Sequence, residues 1–569
     1  MKVSPRNGTN DHRSDFPSRS RSLHAQRCRM HRARMLGGSS CMNAGIYNRG
    51  NHKDYDNWAD LGNTGWSFDD LLPLFLRAEN FLVHNITSSK HVIGTRDATY
   101  HRSGEQHGYF PVSHTYNSEL LPAFIEAGRS LGFPYNPDHN GATQNGFGKV
   151  QVAAQGGVRH STARAYLTPV RRRKNLHVVL NTPVSKIPSL PVIKEHGRFN
   201  ELYHVPPSHQ VVIDEKTMTA KGVEYLTEDG TTRFVSAGKE VIMSAGAFAT
   251  PQILMLSGIG PEEELQKHGI RTVVNLPVGE NMQSHAGPGG LYFSIEKEVG
   301  FFLPRLFTSE FLTRTIQFLA RGDGPFTTAS GFEGIAFVNT SYERDPDWPD
   351  IELFFGTLTI GTDEGLIYRR RLGLTEENKY FTSCHRLRLP PKAWKTYSGL
   401  LRKPGFEIFP YVMRPKSRGK VLLRSTNVLD RPKIFGNFFD HPDDVRRSIE
   451  AIRLVLKLGD QPSFKKLGAK FYSRPLPGCR HLKQFTDRYW ECHMRHFTFL
   501  IWHDVGTCKM GPPSDRKAVV DPKLRVYGVQ RLRVADASIM PVITTGHPMG
   551  TCIVIGEKAS DIIKSHYDL

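Results

Sequence analysis

Residues 531–564 read RLRVADASIMPVITTGHPMGTCIVIGEKASDIIK. Apolar and polar residues alternate through Leu532-Arg533-Val534-Ala535 and stop at Asp536, as in a strand that carries an acid to its carboxyl end. Gly546 to Gly550 break the alternation, and from Thr551 to Ile563 the apolar residues follow helical spacing. A strand, a glycine-containing turn and a helix form the place where an open α/β sheet holds a ligand. Two distant stretches share this logic. Lys239 to Ala247, KEVIMSAGA, reads as a buried strand entering a Gly-Ala turn, with a helix at Thr250-Pro251, where proline suits a first helical turn. Such a turn aims backbone N–H groups at an anion. Met35 to Ser40, MLGGSS, followed by Asn43, offers small residues that let a backbone lie against a flat ligand.

Composition narrows the class. A chain of 569 residues with 38% hydrophobic and 10% aromatic content is long enough for one or two large cores. It contains no apolar run of about 18 residues, so no membrane span is expected. The formal charge of +20 sits largely in local runs, Arg171–Lys174 and Arg369–Arg371, which read as solvated faces. No zinc-finger spacing or aromatic RNA-binding strand accompanies them, so nucleic acid is not expected as a partner. Seven cysteines without a CxxC pair argue against a disulfide framework and against a metal site, while one bridge such as Cys479–Cys492 stays open. Asn85-Ile86-Thr87 and Asn339-Thr340-Ser341 match the glycosylation sequon. Residues 1–24 are polar and without periodicity, which reads as a disordered tail, and no apolar signal segment occurs there. His101 and His107 read as surface residues of a loop, and Ser67 as the N-cap of a helix.

ARMLGGSSCMNAGIYNRGNHKDYD (residues 33–56), GAFATPQILMLSGIG (246–260) and the C-terminal stretch from Trp502 to Lys564 together resemble the glucose–methanol–choline oxidoreductases, above all their arthropod glucose-dehydrogenase-like branch. The resemblance implies an α/β fold with a Rossmann-like FAD-binding domain and an α+β substrate domain. It implies a flavin portion over residues 25–290, a mainly substrate-binding portion over 291–501, and a return to the flavin domain over 502–569. FAD is the implied cofactor, an alcohol, sugar or sterol the implied substrate, and a quinone-like molecule or oxygen the implied electron acceptor. Family members are also often secreted, although no signal peptide is present to support that here.

Carried over residue by residue, the resemblance makes Gly37, Gly38, Ser39, Ser40 and Asn43 flavin contacts. Val184 would meet the adenine through its backbone, between two short strands expected over Leu176–Ile187. Gly246, Ala247, Asp536 and Ala537 would face the ribityl–pyrophosphate part. His503 would be the base, because an imidazole with an ordinary pKa of about 6.5 suits proton abstraction near neutral pH. Three departures stand out. No G-x-G-x-x-G turn precedes Ala33, so the unit that holds the ADP half is either omitted or lost, and an inactive relative without tightly bound flavin is the alternative reading. Ser284 replaces the usual acid before His285. Met549 stands at the second active-site position; His547, two residues earlier, is not expected to project in the same direction, but is the second catalytic candidate if a local rearrangement of the turn lets it substitute.

Overall fold

Ile351–Gly356 (IELFFG) and Gly405–Val412 (GFEIFPYV) are rich in β-branched and aromatic residues and form the centre of a sheet. The computed structural model describes residues 10–13, 29–83, 100–101, 108–186, 213–214, 216–300, 308, 310–363 and 396–569. Six strands lie in the order Lys470–Phe471, Tyr292–Ser294, Gly405–Val412, Ile351–Gly356, Phe332–Val338 and Gly146–Lys149, every neighbour antiparallel. The two-residue period of a strand sorts the side chains to opposite faces. Phe355 and Phe406 point to one face. There Phe124 of the Leu120–Ser130 helix stacks on Phe355 at 4.5 Å, and Phe406 lies between Phe293 at 4.8 Å and Phe464 at 4.3 Å. The other face carries Phe354, Phe409 and Tyr411, and with them two buried carboxylates, Glu352 and Glu407. This second face roofs the site.

Beneath it, Val241–Met243 pairs in parallel with Leu532–Val534, so two segments almost 300 residues apart meet as neighbouring strands. The helices Gly246–Leu256 and Met549–Tyr567 share a core with them through Ile253, Leu254, Val534 and Ile555. The last helix also packs on Phe68–Ala78, where Ser67 and Asp70 form a capping box. Among the described residues no helix is long and apolar enough to cross a membrane.

Several local expectations are corrected. The helix expected at Thr250-Pro251 already begins at Gly246, so Pro251 lies inside it. Proline cannot donate to the carbonyl four residues back; the Thr507 hydroxyl donates to Ala247 O instead, at 2.7 Å. Residues 176–183 form no strand, and only Val184–Lys186 pairs, against Gly222–Leu226; Ile187 lies outside the described residues. Ile242, expected inside a buried strand, is 45% exposed. Within the expected tail, Asn10–Arg13 pairs with Arg29–Arg32, which satisfies backbone groups of both segments. His101 is not a surface residue: it stacks on Phe81 at 3.8 Å between the carboxylates of Glu79 and Asp138. The Leu120–Ser130 helix and the Gly146–Lys149 strand belong to the roof sheet and its core, although they lie within the stretch 25–290.

Cys479 and Cys492 form a disulfide. The amide of Asn339 donates to Asp345 O at 2.7 Å. The sequon at Asn85, His107, Cys28, Cys384 and Arg369–Arg371 lie outside the described residues. Because Phe406 is fully buried between two stacked rings, Phe406→Ala is expected to destabilise the fold by about 3–5 kcal/mol, read as a lower urea midpoint.

Candidate active site beneath the roof sheet

Three histidines from three distant segments meet below the roof. The Ala286–Pro288 strand pairs with Thr498–Leu500, and a bridge from Gln283 to Val505 sets His285 opposite His503. Their Nδ1 atoms are 2.8 Å apart, and His285 Nε2 is 2.9 Å from Met413 O. A carbonyl only accepts, so His285 carries its proton on Nε2 and offers a bare Nδ1. The proton shared between the rings therefore belongs to His503 Nδ1, and His503 Nε2 keeps its lone pair. Both rings are neutral. Burial pushes His285 down to about 3. Burial, with the neighbouring His547 and His285, holds His503 well below the ordinary imidazole value. Beside them burial pushes the Asp504 carboxyl up to about 7, against the pull of the Ser284 hydroxyl.

His547 turns toward His503, with ring centroids 4.7 Å apart, and its Nε2 lies 2.9 Å from Glu352 Oε1. The expectation that it would project elsewhere is corrected, and the cause is the turn before it. Thr545 gives its N–H and hydroxyl to the two oxygens of Asp54, at 2.6 and 2.8 Å. Gln144 donates to Thr545 O at 3.0 Å, and Gly546 takes a positive φ of 106°. Met549 begins the last helix, buried, with its sulfur accepting from Asn43 Nδ2 at 3.2 Å.

The glycine-rich turn sits against this group. Gly37 and Gly38 have φ of 84° and 53°, and Ser40 Oγ donates to Gly37 O at 2.6 Å while meeting Thr162 Oγ1 at 3.1 Å. Arg159 donates to Asn43 Oδ1 at 2.6 Å and so fixes the residue that holds Met549. Ser39 is exposed. A second group forms around Asp536. Its Oδ2 accepts from Gly246 N at 2.8 Å and Thr250 Oγ1 at 2.6 Å, and its Oδ1 accepts from Ser538 N at 2.8 Å. Gly506 N donates to Ala537 O at 3.1 Å. Asp536 is thus a clamp between the two parallel strand ends. Val184 lies in a different sheet, paired with Tyr225, and its own strand packs on the Gly246–Leu256 helix.

The sequence reading assigned no role to His285, Glu352, Arg159 or Thr162. Glu352 had a signal, a lone acid in the middle of an apolar strand. His285 had none beyond its place after Ser284.

A flat ligand with an anionic tail fits these surfaces in part. A Cβ placed on Gly38 or Gly246 would meet nothing within 4 Å, so both backbones open onto free space. Among the described residues no glycine-rich strand–turn–helix precedes them to hold a nucleotide tail. Among the described residues the Val241–Met243 strand pairs with Leu532–Val534 alone.

Roof sheet, glycine turn and buried histidines make an α/β fold with a buried site beneath the sheet. The chain belongs to the GMC oxidoreductase family, whose N-terminal part matches residues 18–287 and whose C-terminal part matches residues 415–556. It is 36% identical to a "Glucose dehydrogenase [FAD, quinone]" of Drosophila pseudoobscura pseudoobscura, over 95% of this chain and 75% of that protein. It is 32% identical to an "Oxygen-dependent choline dehydrogenase" of Brucella anthropi, over 94% of this chain and 81% of that one. Among solved structures, a pyridoxine 4-oxidase from Mesorbium loti matches 98% of this chain and 88% of its own at 23% identity and a TM-score of 0.71. A formate oxidase from Aspergillus oryzae matches 98% and 89% at 22% identity and a TM-score of 0.76. These two share the fold.

Asp536→Ala leaves Gly246 N, Thr250 Oγ1 and Ser538 N without their acceptor. A loss of about 2–4 kcal/mol in stability is expected, with Asp536→Asn retaining part of it, measured by urea unfolding.

Proposed function

We propose that this chain is an FAD-dependent oxidoreductase of CH–OH donors in which His503 takes the hydroxyl proton. The observation that carries the reading is the bare Nε2 of a neutral, buried His503, fixed by the bonds through His285 to Met413 O. FAD, when bound, supplies the acceptor for the carbon-bound hydride, which no side chain can provide. Gly37, Gly38, Ser40 and Asn43 would hold its flavin side, with Ser39 at the exposed rim. Gly246 and Ala247 at a helix N-terminus, with Asp536 and Ala537, would face the ribityl–pyrophosphate part, and Val184 the adenine. His547, tethered by Glu352, orients the hydroxyl beside His503. Phe354 and Phe409 in the roof exclude water from it.

The relatives' names favour a sugar or a small alcohol as substrate and a quinone-like molecule or oxygen as acceptor. The base assignment is tested by His503→Ala. Turnover of a suitable alcohol should fall by about 10²–10⁴-fold with the bound flavin unchanged; an unchanged rate removes His503 from the chemistry.

The pH profile tests the same assignment independently. A base is active when unprotonated, so activity falls as pH drops through its pKa. Since His503 is held below its ordinary value of about 6.5, the acid limb should lie well under that pH. His547→Gln removes one of the neighbours that lower His503, so the limb should move upward. A limb that stays in place would mean that the profile reports another group.

The second reading, an inactive relative without tightly held flavin, has one observation in its favour: the exposed Ile242 on the Val241–Met243 strand. A visible-absorbance spectrum of the desalted protein separates the two readings. Retained stoichiometric flavin absorbance is the expected result for the enzyme, and its loss is the expected result for the inactive form.

A further inference from the structure

The Glu310–Arg321 helix turns its apolar side away from the protein. Leu312, Ile316 and Leu319 share one face by their spacing of four and three, and are 66%, 57% and 77% exposed. Phe311 beside them is 46% exposed. The polar residues Arg314 and Gln317 are instead half-buried, joined at 3.3 Å, with Gln317 reaching Asp323 at 3.4 Å. Phe311 and Phe318 fasten the helix by edge contacts to Phe326, at 5.8 and 6.0 Å. Gly322 lies tight against Gly157, where an added Cβ would stand 2.3 Å from Gly322 O. Phe326 and Val158, next to Gly157, are 39% and 47% exposed and extend the apolar surface. Single exposed leucines are ordinary on a protein surface, whereas a contiguous apolar face marks a contact surface.

We infer that this face docks on an anionic lipid surface. Area argues against a second copy of the chain. A helix of 12 residues is about 18 Å long, so a stripe about 10 Å wide covers on the order of 200 Å², against the roughly 800 Å² per partner of a stable protein interface. A shallow amphipathic helix needs less, because apolar insertion is joined by attraction between basic residues and acidic headgroups. The charge is complementary. Arg321 lies exposed in the last turn of the helix, and the whole chain has a formal charge of +20.

The test is co-sedimentation of the full chain with two kinds of vesicle, phosphatidylcholine alone and phosphatidylcholine with about a third phosphatidylserine. Binding to the acidic vesicles at low salt, weakening as salt rises, is the expected result. Leu312→Asp with Leu319→Asp, both at exposed positions, should weaken that binding by about tenfold or more. Arg321→Gln should weaken it by about fivefold, on the acidic vesicles alone. Absence of binding to either vesicle, or binding unchanged in the aspartate variant, would overturn the inference. A dimer in solution that the same variant splits would overturn it too, and would assign the face to a second copy.

Discussion

The arrangement of the site depends on one buried carboxylate, Asp54. It lies in the first turn of the His52–Asp60 helix and closes a capping box with Asn51. The same two oxygens accept from Trp348 Nε1 at 2.8 Å and from both donors of Thr545. One side chain therefore joins the N-terminal helix, the loop before the Ile351–Gly356 strand and the turn that carries His547. Burial alone would drive this carboxyl to its neutral form; the Arg414 guanidinium and the converging donors pull the other way. Arg414 lies over the Trp348 ring at 4.1 Å and bonds the Thr545 hydroxyl at 3.0 Å, so the compensating charge belongs to the same joint.

Much of this was legible in the chain. The Leu532–Val534 strand, the turn after it and the final helix declare themselves by periodicity, because each local pattern agrees with the fold around it. The start of the Gly246–Leu256 helix did not. Proline reads as a beginning unless one knows that Thr507, brought in by a distant turn, covers the carbonyl that proline leaves open. The pairings of His285 and Glu352 were unreadable for a related reason. Their partners lie 218 and 195 residues away, and no local spacing records a pairing of that length. His547 was placed by its two-residue offset from Met549, whereas the turn's course is set by three side chains that grip Thr545 from elsewhere.

The roof sheet explains why so distant a set can be rigid. Its aromatic layer on the outer face fixes strand register, and register decides which side chains face inward. A slip of one residue in the Ile351–Gly356 strand would bury Glu352 among phenylalanines and leave His547 without its tether. The same strand thus carries a hydrophobic commitment on one face and a polar one on the other.

The histidine pair has a directional consequence. A proton arriving at His503 Nε2 spreads its charge toward His285 through the shared hydrogen, but His285 already gives its own Nε2–H to Met413 O, and a peptide carbonyl passes no proton onward. The relay is a cul-de-sac. On the proposed role of His503 as base, the proton it takes therefore has no exit through His285 and must leave from the Nε2 side of the ring, where His547 and Glu352 stand.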